Sequence, residues 1–132
     1  MATAWQVRMW ARRRNYFPDG RQSIRWRVFE TAAANEIRNQ IQLLPAPPKL
    51  HHWRSHGGAE VDIILEKDGI YYPMEVKLNS HPTRSDTSGI TAFRKTYPSL
   101  KIGKGLVLCP AESAYPLSEN DDALPWDAVA KS

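Results

Sequence analysis

The chain has 132 residues, of which 42% are hydrophobic and 24% charged, a balance typical of one ordinary globular domain. No apolar run approaches the roughly 20 residues that a membrane helix requires, so we expect no membrane contact. The single cysteine, Cys109, excludes an internal disulfide framework and favours a reducing, cytoplasmic compartment. Because Cys109 ends a wholly apolar run, we predict that it is buried in the core.

The net charge of +4 is distributed unevenly, because the segment before Glu30 is basic and the segment after Cys109 is acidic. A basic arm suits the phosphate backbone of nucleic acid. A solvated flank, or half of an interface with a missing domain, would have the same composition. We therefore divide the chain into a basic arm at residues 1–22, which would be a truncated remnant, and a folded domain at residues 23–132.

The first predicted elements are a helix over residues 24–44 and a short strand over residues 49–54. Apolar residues recur at helical spacing up to Leu44, and Pro45 ends the pattern. Two acidic residues of this helix, Glu30 and Glu36, flank its apolar stripe on opposite sides. Glu30 is the nearer of the two in helical angle, so it is the better candidate to face the sheet.

Residues 60–78 are predicted to form a β-hairpin around the dipeptide Asp68-Gly69. This dipeptide suits a two-residue turn because both central residues need positive φ. With the turn at the centre, Leu65 faces Tyr72 and Ile63 faces Met74. Since alternate residues of a strand share a face, Val61 and Val76 are expected to extend the same apolar surface.

The other face of the predicted hairpin places Asp62 opposite Glu75 and Glu60 opposite Lys77. Two carboxylates about 4.5–5.5 Å apart repel by about 3–4 kcal/mol at an effective dielectric of about 20. A divalent cation between Asp62 and Glu75 would remove this repulsion and use both as oxygen ligands. The alternative is a solvated face with a Glu60–Lys77 ion pair, which contributes about 0–1 kcal/mol. Spacing alone leaves both interpretations open.

The remaining pattern predicts a helix over residues 86–97 and a wholly apolar strand over residues 105–109. A strand–helix–strand connection of this length indicates a parallel pair. Residues 115–118 would add an edge strand, and Pro125 would open a helical turn over residues 125–129. The order helix, three strands, helix, strand predicts an α/β fold with a mixed central sheet.

The acidic residues of the hairpin also resemble a known signature. Asp62 followed by Glu75-Val76-Lys77 resembles the PD-(D/E)xK nuclease motif, in which an Asp on one strand precedes E-x-K on the next. Residues 52–62, 89–93 and 104–109 are similar to an uncharacterised nuclease-like domain, the domain of unknown function 4143. In many prokaryotic proteins that domain follows an AAA-type ATPase module.

This resemblance implies a restriction-endonuclease-like core and a Mg²⁺ or Mn²⁺ ion held by Asp62 and Glu75, with the carbonyl of Val76. It also implies that a glutamate of the first helix joins the site, for which we favour Glu30 over Glu36. Lys77 would position the attacking water and balance the charge that develops on phosphate.

The sequence therefore predicts a metal-dependent nuclease that hydrolyses DNA phosphodiester bonds. The alternative is a non-catalytic DNA-binding or protein-docking module of the same fold. No phosphate-binding loop of the G-x-x-x-x-G-K-[ST] type is present, so the chain is not expected to hydrolyse ATP. If the chain derives from an ATPase-linked protein, the ATPase module would be lost or would lie on another chain. Candidate contacts to backbone phosphates are Arg12, Arg13, Arg14, Arg54, Arg84 and Arg94.

Overall fold

Within the residues that the computed structural model describes, 24–125, six strands form one mixed sheet with helices on both sides. Side chains are described from Glu30 onward. The elements are α1 (Ile24–Gln42), β1 (Lys49–Arg54), β2 (Glu60–Lys67), β3 (Ile70–Val76), a 3₁₀ helix (Arg84–Thr87), α2 (Ser88–Thr96), β4 (Gly105–Cys109), β5 (Tyr115–Pro116) and β6 (Asp121–Pro125).

The strand order of the sheet is β1-β2-β3-β4-β6-β5. The first three strands are antiparallel neighbours, whereas β3 pairs with β4, and β4 with β6, in parallel. The parallel β3–β4 pair confirms the crossover predicted from the strand–helix–strand pattern. The short β5 lies antiparallel to β6 at one edge of the sheet, as predicted. The α/β fold with a mixed sheet is thus confirmed.

The hairpin turn has the predicted geometry, because Asp68 and Gly69 have φ angles of 54° and 78°. The register next to the turn is also confirmed, with Leu65 opposite Tyr72 and Ile63 opposite Met74. Gly69 tolerates its positive φ without strain, and Asp is among the residues that adopt it most readily. Local turn chemistry therefore sets the pairing of β2 with β3.

The core is divided between the two faces of the sheet. On one face, Ala33, Ile37 and Ile41 of α1 pack with Ile63 and Met74, all of them buried. Their spacing of four residues places them on one side of the helix, as the apolar stripe predicted. On the other face, Phe93 of α2 packs against buried residues of β2. Cys109 is buried as predicted, in a smaller cluster with Ala111 and Ala123.

One prediction about the faces of β2 is wrong. Val61 packs with Ile64 beneath α2, and not with Ile63 beneath α1. Between the pairs His51–Ile64 and Trp53–Val61, β1 advances by two residues and β2 by three. The extra residue forms a β-bulge at positions 62–63, and a bulge reverses which face the following side chains occupy.

The C-terminal part of the chain also differs from the prediction. Pro125 ends the strand β6 instead of opening a helical turn, and residues 126–129 lie outside the described part. The sequence did not predict β6 because it begins with Asp121 and Asp122. The carboxylate of Asp121 is buried, but an ion pair of 2.7 Å with Arg94 of α2 compensates its charge. The predicted helix over 86–97 is α2, preceded by the 3₁₀ turn.

Among the described residues, no helix combines the length and the apolar composition needed to cross a lipid bilayer.

Candidate functional site

A cleft of about 630 Å³ opens where β2 begins and β3 ends. α1 contributes one wall, and the 3₁₀ helix and the start of α2 contribute another. Two basic side chains, Arg54 and Lys77, also line it. The cleft is strongly acidic, because its lining includes Glu30, Glu60, Asp62, Glu75 and Asp86.

Glu75 is the most buried acid of this cleft, with 6% of its surface exposed. Its carboxylate faces the start of α2, where a Cβ added at Gly89 would lie 2.7 Å from Oε1 of Glu75. Gly89 therefore permits the close approach of helix and strand. Burial, and next the charge of Asp62, raise the pKa of Glu75 to about 9, while Lys77 opposes this shift. Such burial excludes the solvated outer face that was the alternative for the hairpin.

Asp62 occupies the bulge of β2. Followed from the turn, the paired ladder between β2 and β3 ends at Ile63–Met74, so it stops just short of Asp62. Beyond that pair, the backbone amide of Val76 donates to Oδ2 of Asp62 at 2.9 Å. The carboxyl groups of Asp62 and Glu75 are within hydrogen-bonding reach of each other. The structure thus brings the two predicted acids together through a side-chain contact at the end of the ladder.

Glu30 reaches the cleft from α1. Its Oε2 accepts a hydrogen bond of 3.1 Å from the backbone amide of Leu78, just beyond β3. Burial raises the pKa of Glu30, whereas Lys77 and the Leu78 amide act in the opposite direction. Glu36 instead accepts a hydrogen bond of 3.4 Å from Gln40 and does not line the cleft. Of the two candidate glutamates, α1 presents Glu30.

The positive charge of Lys77 acts on both Glu30 and Glu75. It partly opposes the rise in pKa that burial causes at each of these carboxyls. Its backbone amide donates to the carbonyl of Leu108 at 2.9 Å, which extends the parallel β3–β4 pairing by one residue. This contact fixes the point from which the Lys77 side chain enters the cleft. The ammonium group is therefore placed beside the carboxylates that the sequence predicted.

The arginines predicted to contact phosphates differ in their position relative to the cleft. Arg54 lines the cleft and forms an ion pair of 2.9 Å with Glu60, which replaces the Glu60–Lys77 pair considered from sequence. Arg84 is exposed on the 3₁₀ helix and is not part of the cleft lining. The remaining three candidates of the N-terminal arm, Arg12, Arg13 and Arg14, lie outside the described residues.

Arg94 differs from the prediction. Its guanidinium pairs with the buried carboxylate of Asp121 at 2.7 Å and donates to the carbonyls of Gly103 at 3.1 Å and Asn120 at 3.2 Å. These contacts join α2 to the beginning of β6. Because its donors are used within the fold, we remove Arg94 from the candidate phosphate contacts.

Two residues near the site were not found from sequence. Asp86 lines the cleft, raises the pKa of Glu30 and caps the 3₁₀ helix by accepting the Thr83 amide at 2.8 Å. An acidic residue in a first helical turn was the available signal. Arg38 of α1 donates to the backbone carbonyl of Asp62. It follows Glu30 by about two helical turns, so it points to a similar side of α1.

The donor set suits a hard divalent cation. In residues 30–125, no three His, Cys, Asp or Glu side chains are grouped closely enough to form a complete protein cage for a metal ion. Mg²⁺ often needs only one or two carboxylates, because waters and substrate phosphates complete its shell. Asp62 and Glu75 form such a pair, and a buried carboxyl beside a second one is a place where a cation is favourable.

Fold and cleft together define an α/β domain with a buried carboxyl, that of Glu75, beside the half-buried carboxyl of Asp62 at the end of a mixed sheet. Residues 27–129 match the family described as a domain of unknown function (DUF4143), and the chain belongs to this family. The family description assigns no activity.

Two uncharacterised mycobacterial proteins are similar to this chain. One is from Mycobacterium tuberculosis and one from Mycobacterium bovis, and each is 30% identical over 93 residues. The match covers 70% of this chain but 20% of each relative, so the chain corresponds to about a fifth of their length. No solved structure matches the chain significantly.

Proposed function

We propose that this protein is a metal-dependent nuclease that hydrolyses DNA phosphodiester bonds. The observation that carries the proposal is the contact between the carboxyls of Asp62 and Glu75, with Lys77 beside them in one cleft. The order of these residues resembles the PD-(D/E)xK motif, and the helix–three strands–helix–strand order agrees with a restriction-endonuclease-like core.

Asp62 and Glu75 would hold a Mg²⁺ or Mn²⁺ ion, with the carbonyl of Val76 as a further ligand. When bound, such an ion lowers the pKa of a coordinated water and neutralises charge on the phosphate. The raised pKa of Glu75 means that this carboxyl keeps its proton at neutral pH without a cation. A bound ion would replace that proton, so we expect cation binding to release it.

The other residues of the cleft would orient the reactants. Lys77 would hold the attacking water and stabilise negative charge on the phosphoryl oxygens. Glu30, anchored to the Leu78 amide, would orient a water at the site from the side of α1. Arg54 at the cleft wall, and Arg84 with the basic N-terminal arm, would bind neighbouring phosphates without reading base sequence.

An AAA-type ATPase as a functional partner is part of the proposal. The sequence lacks a phosphate-binding loop, while similar domains follow AAA-type ATPase modules in many prokaryotic proteins. The mycobacterial relatives are also much longer than the region that they share with this chain. A DNA-acting protein with one buried cysteine fits the cytoplasm.

The direct test is incubation of the purified full chain with supercoiled plasmid in Mn²⁺, Mg²⁺ or EDTA. We expect nicked and linear plasmid with either metal and intact plasmid in EDTA. Retention of DNA in a mobility-shift assay without any nicking, at all metal concentrations, would overturn the nuclease and favour the non-catalytic DNA-binding module. Neither nicking nor retention would favour the docking module.

Cation binding has a separate readout in thermal melting. We expect Mn²⁺ to raise the melting temperature of the wild-type protein, because a ligand that binds only the folded state stabilises it by RT ln(1 + [L]/Kd), about 2.7 kcal/mol at 100 times Kd. The rise should vanish in Asp62→Ala. Glu66→Ala, which alters an acid of the same strand outside the cleft, is the control and should keep the rise. An equal rise in both variants would place the ion elsewhere.

A further inference from the structure

The bulge that carries Asp62 is contacted by Arg38 of α1, the helix that also forms one wall of the cleft. We propose that Arg38 is a positioning residue, which fixes the backbone of Asp62 and thereby aims its carboxylate at Val76 and Glu75. Arg38 would touch neither metal nor substrate. The part of the proposal that concerns metal rests on the proposed function, whereas the part that concerns the Asp62 carboxylate does not.

A β-bulge leaves backbone groups of the extra residue without a ladder partner. In β2 the bulge falls at positions 62–63, next to the end of the ladder with β3. The guanidinium of Arg38 donates to the carbonyl of Asp62 at this point. A charged donor forms a stronger hydrogen bond than a neutral one, so it can hold a backbone group that the sheet itself does not hold.

Arg38 is itself held in place. Its second terminal nitrogen donates to Oδ1 of Asn35 at 3.2 Å, one helical turn earlier. The neighbouring residues Ile37 and Ile41 are buried against the sheet and fix the position of α1. The donor to Asp62 therefore belongs to a rigid part of the fold.

The same helix contacts the site twice. Glu30 accepts the amide of Leu78 beyond β3, and Arg38 donates to the carbonyl of Asp62 in β2. α1 thus bridges the two strand ends at the place where their ladder has stopped. A further link between the two strand ends is the 2.9 Å hydrogen bond that the Val76 amide donates to the Asp62 carboxylate. Loss of Arg38 should weaken this bond and leave the Leu78 bond intact.

Hydrogen exchange of single amides, measured by NMR on the metal-free full chain, tests the proposal. In Arg38→Met, we expect the Val76 amide to exchange about fivefold faster or more, the change expected for weakening one hydrogen bond. The Leu78 amide and the Tyr71 amide, which donates to Lys101 at 2.9 Å far from the cleft, should change little. Arg38→Lys, which keeps a cationic donor, should restore part of the protection.

Arg84→Met is the matched control, because it removes an exposed arginine that lies on the 3₁₀ helix and not on α1. It should change the exchange of none of these amides. Equal acceleration of Val76, Leu78 and Tyr71 in Arg38→Met would show a general loss of stability and would overturn the proposal. So would an unchanged Val76 amide. If Arg38→Met does not fold, the exchange rates of the same three amides are compared in Arg38→Lys and Asn35→Ala. The proposal then requires that exchange at Val76 be accelerated selectively in these variants.

Mn²⁺ titration, followed by electron paramagnetic resonance, separates this proposal from the proposed function. We expect Arg38→Met to raise the dissociation constant of Mn²⁺ about tenfold, a change typical of residues that orient metal ligands. If the wild type does not bind Mn²⁺ while Val76 responds selectively, the metal site is wrong and the positioning role stands. If the wild type binds and Arg38→Met binds equally well, Arg38 does not aim the carboxylate.

Discussion

Replacement of Glu75 with alanine is expected to abolish Mn²⁺-dependent nicking of plasmid DNA while leaving DNA retention at least as strong. The buried carboxyl of Glu75 lies beside that of Asp62, so its removal takes away a proposed metal ligand. We expect a loss of at least about 100-fold, since residues that merely support metal ligands already contribute 10–100-fold. Removal of an acid from the cleft would not weaken phosphate binding. Gel assays of nicking and of mobility shift, on the same samples, measure both effects.

Glu36→Ala is the matched control for this experiment, because it removes a glutamate that faces Gln40 outside the cleft. It should nick plasmid like the wild type. Nicking by Glu75→Ala at the wild-type rate would show that another site or a contaminant cuts the DNA. In that case the cleft would no longer be the proposed active site, whatever its affinity for cations.

The free energy of unfolding of the metal-free protein is expected to decrease as pH rises from about 5 to about 9. In the folded state the pKa of Glu75 is raised from 4.5 to about 9, so folded molecules retain a proton that unfolded molecules have released. The stabilisation is complete below the unfolded pKa and is lost as pH rises towards the folded pKa. One such proton gives a slope of about 1.4 kcal/mol per pH unit. The raised pKa of Glu30 adds a contribution of the same sign.

Urea unfolding in EDTA at several pH values measures this slope. Glu75→Gln preserves the shape of the neutral carboxyl without its titration, so the variant should lose most of the slope and be more stable than wild type near pH 8. Glu66→Gln changes a half-buried acid of β2 whose pKa is lowered, chiefly by a hydrogen bond with Tyr71. Its titration lies below this pH window, so the variant should retain the wild-type slope and serves as the control. A wild-type stability that rises with pH over this window would mean that Glu75 is ionised in the folded protein.

The acidic lining of the cleft underlies both the expected loss of nicking in Glu75→Ala and the expected fall in stability with rising pH. Glu30, Glu60, Asp62, Glu75 and Asp86 face it, against Arg54 and Lys77. A phosphodiester would be repelled from such a surface unless protons or cations neutralise it. We therefore expect a divalent ion to be needed even for DNA to approach the proposed catalytic carboxylates. The basic arm and Arg84 are proposed to hold the DNA outside the cleft.

Local sequence determined the hairpin, its register and the strand that precedes it. The dipeptide Asp68-Gly69 specifies a turn with two positive φ angles, and the turn sets the opposite pairs Leu65–Tyr72 and Ile63–Met74. The bounds of β1 and β4 were predicted because proline and glycine punctuate apolar segments there. These features depend on contacts between residues that are near in sequence, so a single sequence contains the information.

Tertiary structure alone decided the arrangement of the cleft. The bulge at positions 62–63 depends on how β1 and β3 together pair with β2, and it placed Val61 on the other face from Ile63. Likewise, Asp121 begins a buried strand only because Arg94, distant in sequence, supplies its counter-charge. The sequence by itself identified Asp62, Glu75, Lys77 and Glu30 as candidate site residues. That Arg38 reaches the Asp62 carbonyl follows from the packing of α1 on the sheet, since no periodicity within a strand or helix encodes a contact between them.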